Sequence, residues 1–125
     1  MATLPQIRDR ILTKYQSLPT QREKLEFLYE VQEFLRSFYN QRGAQFNNGQ
    51  ITEDQWLAFK TQWFNISEKV LDRISILRDR VFVNDFGLTK PTSLEDEVAS
   101  SAWKLKKEEL KAGLTYRNQI ETIWQ

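Results

Sequence analysis

The fold is decided by residues 53–82, which read EDQWLAFKTQWFNISEKVLDRISILRDRVF. Large apolar side chains recur here at every third or fourth position, the spacing that places them on one face of an α-helix. The seam that they form consists of Trp56, Phe59, Trp63, Ile66, Val70, Ile74, Leu77 and Val81. Because an α-helix rises 1.5 Å per residue, the pattern predicts a helix about 45 Å long on which the rest of the chain packs.

A second, shorter apolar line runs along the same helix at heptad spacing, through Leu57, Phe64 and Leu71. A helix with two apolar faces is expected to contact neighbours on more than one side. Leu57, Phe64 and Leu71 are therefore candidate residues of a protein interface.

Capping signals predict further helices. A threonine followed three residues later by Gln or Glu is a capping box, and the pattern occurs at Thr3, Thr20 and Thr52. The first helix should end at Pro19, because the residue before a proline is disfavoured in the α conformation. The second helix covers about residues 20–42, and we favour its continuation through Gly43, since a glycine within a helix costs only about 1 kcal/mol relative to alanine.

A fourth helix is predicted after the loop that contains Pro91. It should start at Thr92 or Ser93, each followed three residues later by an acidic residue, and pass through Val98 and Leu105. The pattern favours no strand or repeat. The 125 residues therefore predict a single all-α domain over residues 1–125, a small bundle of four to five helices organised on the long central helix.

The composition restricts the chemistry. The chain has no histidine and no cysteine, and so lacks the commonest general base, the commonest transition-metal ligand and every thiolate site. No nucleophile–base pair, phosphate loop or dinucleotide fingerprint occurs, so we expect a non-enzymatic protein without metal or cofactor. Four glutamates of the second helix are interpreted as a solvated face, because glutamate is rarely buried: Glu23, Glu26, Glu30 and Glu33.

The leading functional hypothesis is a structural or protein–protein interaction subunit of a larger assembly, such as a connector or accessory protein of a small virus or phage particle. Surplus apolar surface is what an interface needs. The C-terminal segment adds four candidate interface residues to those of the long helix: Tyr116, Ile120, Ile123 and Trp124. The expected partners are other protein subunits, in a homo- or hetero-oligomer.

Two alternatives stay open. A small helical regulator would bind nucleic acid, or an enzyme of nucleic acids, through a basic run of Lys104, Lys106, Lys107 and Lys111. This is not favoured, because 18 basic and 17 acidic residues leave a net charge of +1 and supply no broad basic surface. The other alternative is a small-molecule-binding bundle with a pocket under Trp56 and Trp63.

The sequence also predicts the location of the protein. No apolar run approaches the roughly 20 residues that a membrane span needs. The N-terminus lacks the charged-then-apolar layout of a signal peptide. We expect an intracellular, cytoplasmic protein, or a virion component if the source is viral, with no membrane as a partner.

Overall fold

The computed structural model describes residues 3–93 and 96–114. Within them the chain forms four α-helices: α1 (Leu4–Ser17), α2 (Gln21–Asn47), α3 (Glu53–Asn84) and α4 (Glu97–Ala112). These ranges contain no strand, so the predicted all-α bundle is confirmed. The longest helix is α3, with 32 residues.

The first three helices each have a threonine as N-cap residue, as the capping boxes predicted. At Thr3 and Thr52 both hydrogen bonds of the box form, so that the hydroxyl accepts from a backbone N–H and the glutamine side chain accepts from the threonine N–H. At Thr20 the hydroxyl accepts from the backbone N–H of Glu23 at 3.1 Å. Each cap satisfies helical N–H groups that would otherwise lack partners.

The start of α4 was predicted too early. Asp96 caps this helix, and its carboxylate accepts from the backbone N–H of Ala99 at 3.3 Å. Thr92 and Ser93 lie before the helix. An ionised carboxylate is favoured over a hydroxyl at this position, because it also interacts with the positive end of the helix dipole.

The core lies between α2 and α3, which run antiparallel. The continuation of α2 through Gly43 to Asn47 is confirmed, and a turn over residues 48–52, with Gly49 at φ +74°, reverses the chain. The core side chains of α2 are Leu25, Phe27, Leu28, Tyr29, Val31, Leu35 and Phe38, and those of α3 are Phe59, Ile66, Val70, Ile74, Leu77, Val81 and Phe82. The predicted seam of α3 is thus the surface that packs on α2.

The two shorter helices lie on opposite sides of this pair. Arg73 of α3 donates its Nε–H to the hydroxyl of Tyr15 in α1 at 2.7 Å, and Phe82 of α3 contacts Trp103 in α4. Arg73 and Phe82 are nine residues apart, about two and a half helical turns, and therefore point in opposite directions.

The prediction of a fully solvated glutamate face is wrong at Glu30, which is only 9% exposed. The reason is that α2 has α1 and α4 as neighbours besides α3, so that more of its circumference is covered than a two-helix contact requires. Glu26 and Glu33 take part in ion pairs with Arg22 at 3.1 Å and Arg36 at 2.7 Å, respectively.

Among the helices described, none is both long enough and apolar enough to cross a membrane.

Candidate interaction surface

The heptad line of α3 is an exposed apolar surface, which we call the α3 stripe and define as Leu57, Phe64 and Leu71. The three side chains are 48%, 50% and 45% exposed, respectively. The stripe extends over about 21 Å of helix, at 1.5 Å per residue. It lies about 120° around α3 from the middle of the seam that packs on α2, so α3 has the second apolar face that its sequence pattern indicates.

Phe64 rests on the aromatic rings beside it. The ring of Trp63 meets it edge to face at a centroid distance of 5.1 Å, and the ring of Tyr39 does so at 6.3 Å. Trp63 is fixed in turn, because its Nε1–H donates to the backbone carbonyl of Leu35 at 2.7 Å. The exposed ring therefore stands on an ordered base and would lose little conformational entropy on binding a partner.

One cation and one anion flank the centre of the stripe. Lys60 lies one helical turn before Phe64, and Glu68 lies one turn after it. The Lys60 ammonium is 5.4 Å from the ring centroid of Trp56. Within residues 3–93 and 96–114, neither Lys60 nor Glu68 forms an ion pair. Both charges are thus available to a partner on the stripe.

The far end of the same face of α3 is covered by α4. Phe82 follows Phe64 by 18 residues, about five full turns, so the two side chains leave the helix in the same direction. Phe82 is 0% exposed, and the ring of Trp103 packs on it edge to face with centroids 4.8 Å apart. Phe86, just beyond α3, adds a further edge contact at 6.3 Å.

The four lysines of the basic run of α4, residues 104–111, have different environments. Lys106 pairs with Glu109 at 2.9 Å and lies 4.6 Å from the centroid of Phe86. Lys111 pairs with Glu33 of α2 at 3.6 Å. The remaining two, Lys104 and Lys107, are exposed and half-buried, respectively. Two of the four predicted nucleic-acid contacts therefore already take part in contacts within the chain.

A polar group without a partner lies beneath α4. The hydroxyl of Tyr29 is buried and has no hydrogen-bond partner among the described residues. Burial raises the pKa of Tyr29 to about 12, and the charge of Arg78 opposes this increase only in part.

The other sequence-predicted sites are distributed as follows. Tyr116, Ile120, Ile123 and Trp124 lie outside the described residues. Trp56 and Trp63 pack on Tyr39, with centroids at 5.2 and 4.7 Å. An open groove lies elsewhere, on α1, where it is lined by Asp9, Arg10, Thr13, Lys14 and Ser17.

Two exposed apolar residues of α4 were missed as surface candidates. Val98 is 84% exposed and Leu105 is 61% exposed; the sequence pattern placed the fourth helix through both of them but did not identify them as surface residues. The helix instead packs through Trp103 and Leu110. The heptad spacing of Val98 and Leu105 was the available signal, since it is the spacing that also unites the α3 stripe.

Comparisons of the chain with protein-family models, with curated proteins and with solved structures give no match in any of the three.

Proposed function

We propose that this protein is a non-enzymatic interaction subunit that binds a helix of a protein partner through the α3 stripe. The observation that carries the proposal is the 50% exposure of Phe64 at the centre of a heptad-spaced apolar line. Exposed contiguous apolar surface on an ordered helix is typical of protein-binding sites. The stripe fits a partner helix, since an amphipathic helix binds such a surface through apolar side chains on one of its faces.

The size of the stripe favours a weak contact over a permanent one. Three side chains along about 21 Å of helix bury less than the roughly 1,200 Å² that marks the lower limit of standard interfaces. The protein would therefore join its partner reversibly, or use the stripe together with other contacts. The assembly that we expect is intracellular, with a virus or phage particle as one candidate.

Photo-cross-linking in cells of the organism that encodes the protein tests this proposal. A photoreactive phenylalanine analogue at position 64 should form a covalent adduct with a protein partner, which mass spectrometry then identifies. The matched control is position 76, because Ile76 lies on the same helix with a similar exposure of 43%. It is 12 residues from Phe64, about 120° around the helix.

Adducts at position 64 in large excess over position 76 support the proposal. Equal yields at the two positions, or no adduct at position 64, would refute it. The predicted role of the C-terminal segment is tested by the same analogue at Trp124, where an adduct with the same partner is expected.

A further inference from the structure

We infer that the partner helix on the α3 stripe is α3 of a second copy of this chain, antiparallel and centred on Phe64. The inference rests on the proposed function and identifies its partner. It follows from a symmetry of the stripe, because Leu57 and Leu71 lie seven residues before and seven residues after Phe64. In an antiparallel pair centred on Phe64, Leu57 of each copy lies beside Leu71 of the other copy.

The charged residues beside the stripe have the same symmetry about Phe64. Lys60 lies four residues before Phe64, and Glu68 lies four residues after it. The antiparallel pairing therefore sets Lys60 at the level of Glu68 of the second copy, twice over by symmetry. A parallel pairing in register would set Lys60 beside Lys60 and Glu68 beside Glu68, and like charges across an interface are unfavourable.

The residues nearest the centre allow a close approach. Thr61 and Ser67 lie three residues to either side of Phe64 on the same helix, and the antiparallel pairing sets Thr61 of each copy at the level of Ser67 of the other. Small side chains at these positions let Phe64 of one copy contact Phe64 of the other without obstruction.

The pairing is also compatible with α4. Residue 53 of the second copy would lie beside residue 75, so the second α3 would end before it reaches Phe82. The face of α3 beyond that point is covered by Trp103. On each α3, the second copy and α4 would thus share one face without overlap.

The first experiment measures the native mass of the full chain by sedimentation equilibrium, from about 1 µM to about 1 mM, a range that includes weak dimers. We expect a reversible dimer that Phe64→Glu abolishes. Ile76→Glu is the matched control and should leave the dimer unchanged. The helical circular dichroism of both variants should equal that of the parent. A folded parent that stays monomeric over the whole range would overturn the inference.

Charge reversal tests the ion pairs. Lys60→Glu and Glu68→Lys should each weaken the dimer about tenfold or more, because each places two like charges together. The double variant should restore the dissociation constant to within about threefold of the parent value, since both pairs re-form. Additive losses in the double variant would overturn the proposed register.

Introduced cysteines test the register directly, because the chain has none of its own. Phe64→Cys should form a disulfide between copies under mild oxidation, since a disulfide needs the two β-carbons about 4 Å apart. Leu57→Cys alone should not, whereas a mixture of Leu57→Cys and Leu71→Cys chains should form the mixed disulfide. Disulfides between two Leu57→Cys chains would indicate a parallel pair and overturn the inference.

The cross-linking experiment separates the two proposals. An adduct of position 64 with a different protein would leave the proposed function intact and overturn the second-copy inference. An adduct within one chain, between position 64 and residues 115–125, would overturn both proposals, because the stripe would then be covered by its own chain.

Discussion

Phe64 and Phe82 lie on the same face of one helix, five turns apart, and have opposite environments. Trp103 and Phe86 enclose Phe82, which is fully buried. Phe64 rests on Trp63 and leaves half of its surface in solvent. The residue type, the helix and the direction are the same, and the difference is the presence of α4 over one end.

The covering of Phe82 begins at the end of α3. The backbone N–H of Gly87 donates to the carbonyl of Val83 at 3.1 Å, and that of Leu88 donates to Phe82 at 2.9 Å. Gly87 has φ +64°, a conformation that costs glycine little and other residues more. This turn ends α3 and leads the chain back, so that α4 packs over Phe82. The turn over residues 48–52, at the other end of α3, joins α3 to α2 and brings no further helix over Phe64.

The largest effect that the comparison predicts is the difference between two alanine substitutions. Phe82→Ala should lower the free energy of unfolding by about 3–5 kcal/mol, because it leaves a cavity in a packed core. Phe64→Ala should lower it by less than about 1 kcal/mol, since the ring is half solvated. Urea unfolding followed by circular dichroism measures both values. Equal losses would mean that the two ends of the face do not differ in packing.

Removing the cover is the next test. Trp103→Ala should cost about 2 kcal/mol, less than a fully buried tryptophan because its ring is half-buried. It should also expose Phe82 and increase the binding of a hydrophobic dye. Leu105→Ala, on the exposed side of the same helix, is the control and should change stability by less than about 0.5 kcal/mol. An unchanged dye signal in Trp103→Ala would show that α4 does not cover Phe82.

A pH-dependent effect is expected at Tyr29, which lies beneath α4 with Lys111 over its ring. Its pKa is raised to about 12 in the folded state from 10.0, so the folded protein keeps the proton that the unfolded chain loses. This contribution to stability is present below pH 10 and is lost as the pH rises towards 12. Tyr29→Phe should therefore gain about 1 kcal/mol relative to the parent between pH 8 and pH 11. If the difference in the free energy of unfolding between Tyr29→Phe and the parent stayed constant from pH 8 to pH 11, the hydroxyl would not be buried.

The smallest effect concerns the turn end of the α2–α3 hairpin, where Gly43 of α2 faces Trp56. A β-carbon added at Gly43 would lie 3.4 Å from Cη2 of Trp56, at the near limit of ordinary contact. Gly43→Ala should therefore raise the melting temperature, with a stabilisation of up to about 1 kcal/mol from helix propensity. Gly49→Ala is the contrasting variant, since φ +74° disfavours alanine and should lower stability. A loss on Gly43→Ala would mean that the aromatic cluster cannot accommodate one methyl group.

Most of the fold could be predicted because it is encoded locally. The capping boxes at Thr3 and Thr52 need only residues three positions apart, and the seam of α3 needs only a regular spacing. Glu30 was predicted wrongly because its burial depends on neighbours distant in sequence, and the start of α4 because several capping residues compete within a few positions. Whether a glutamate is covered depends on which helices pack around it, and a helix can begin at any of several competing caps.

The candidate surface divides in the same way. The amino-acid sequence by itself determined that α3 has two apolar faces, because a helix fixes the direction of every side chain through its period of 3.6 residues. Only the tertiary structure decided that Phe82 is enclosed and that Phe64 is exposed, since the two share one direction and no local signal distinguishes them. Burial is a property of the contact between two elements, and the return of α4 over one end of α3 left the stripe of Leu57, Phe64 and Leu71 open.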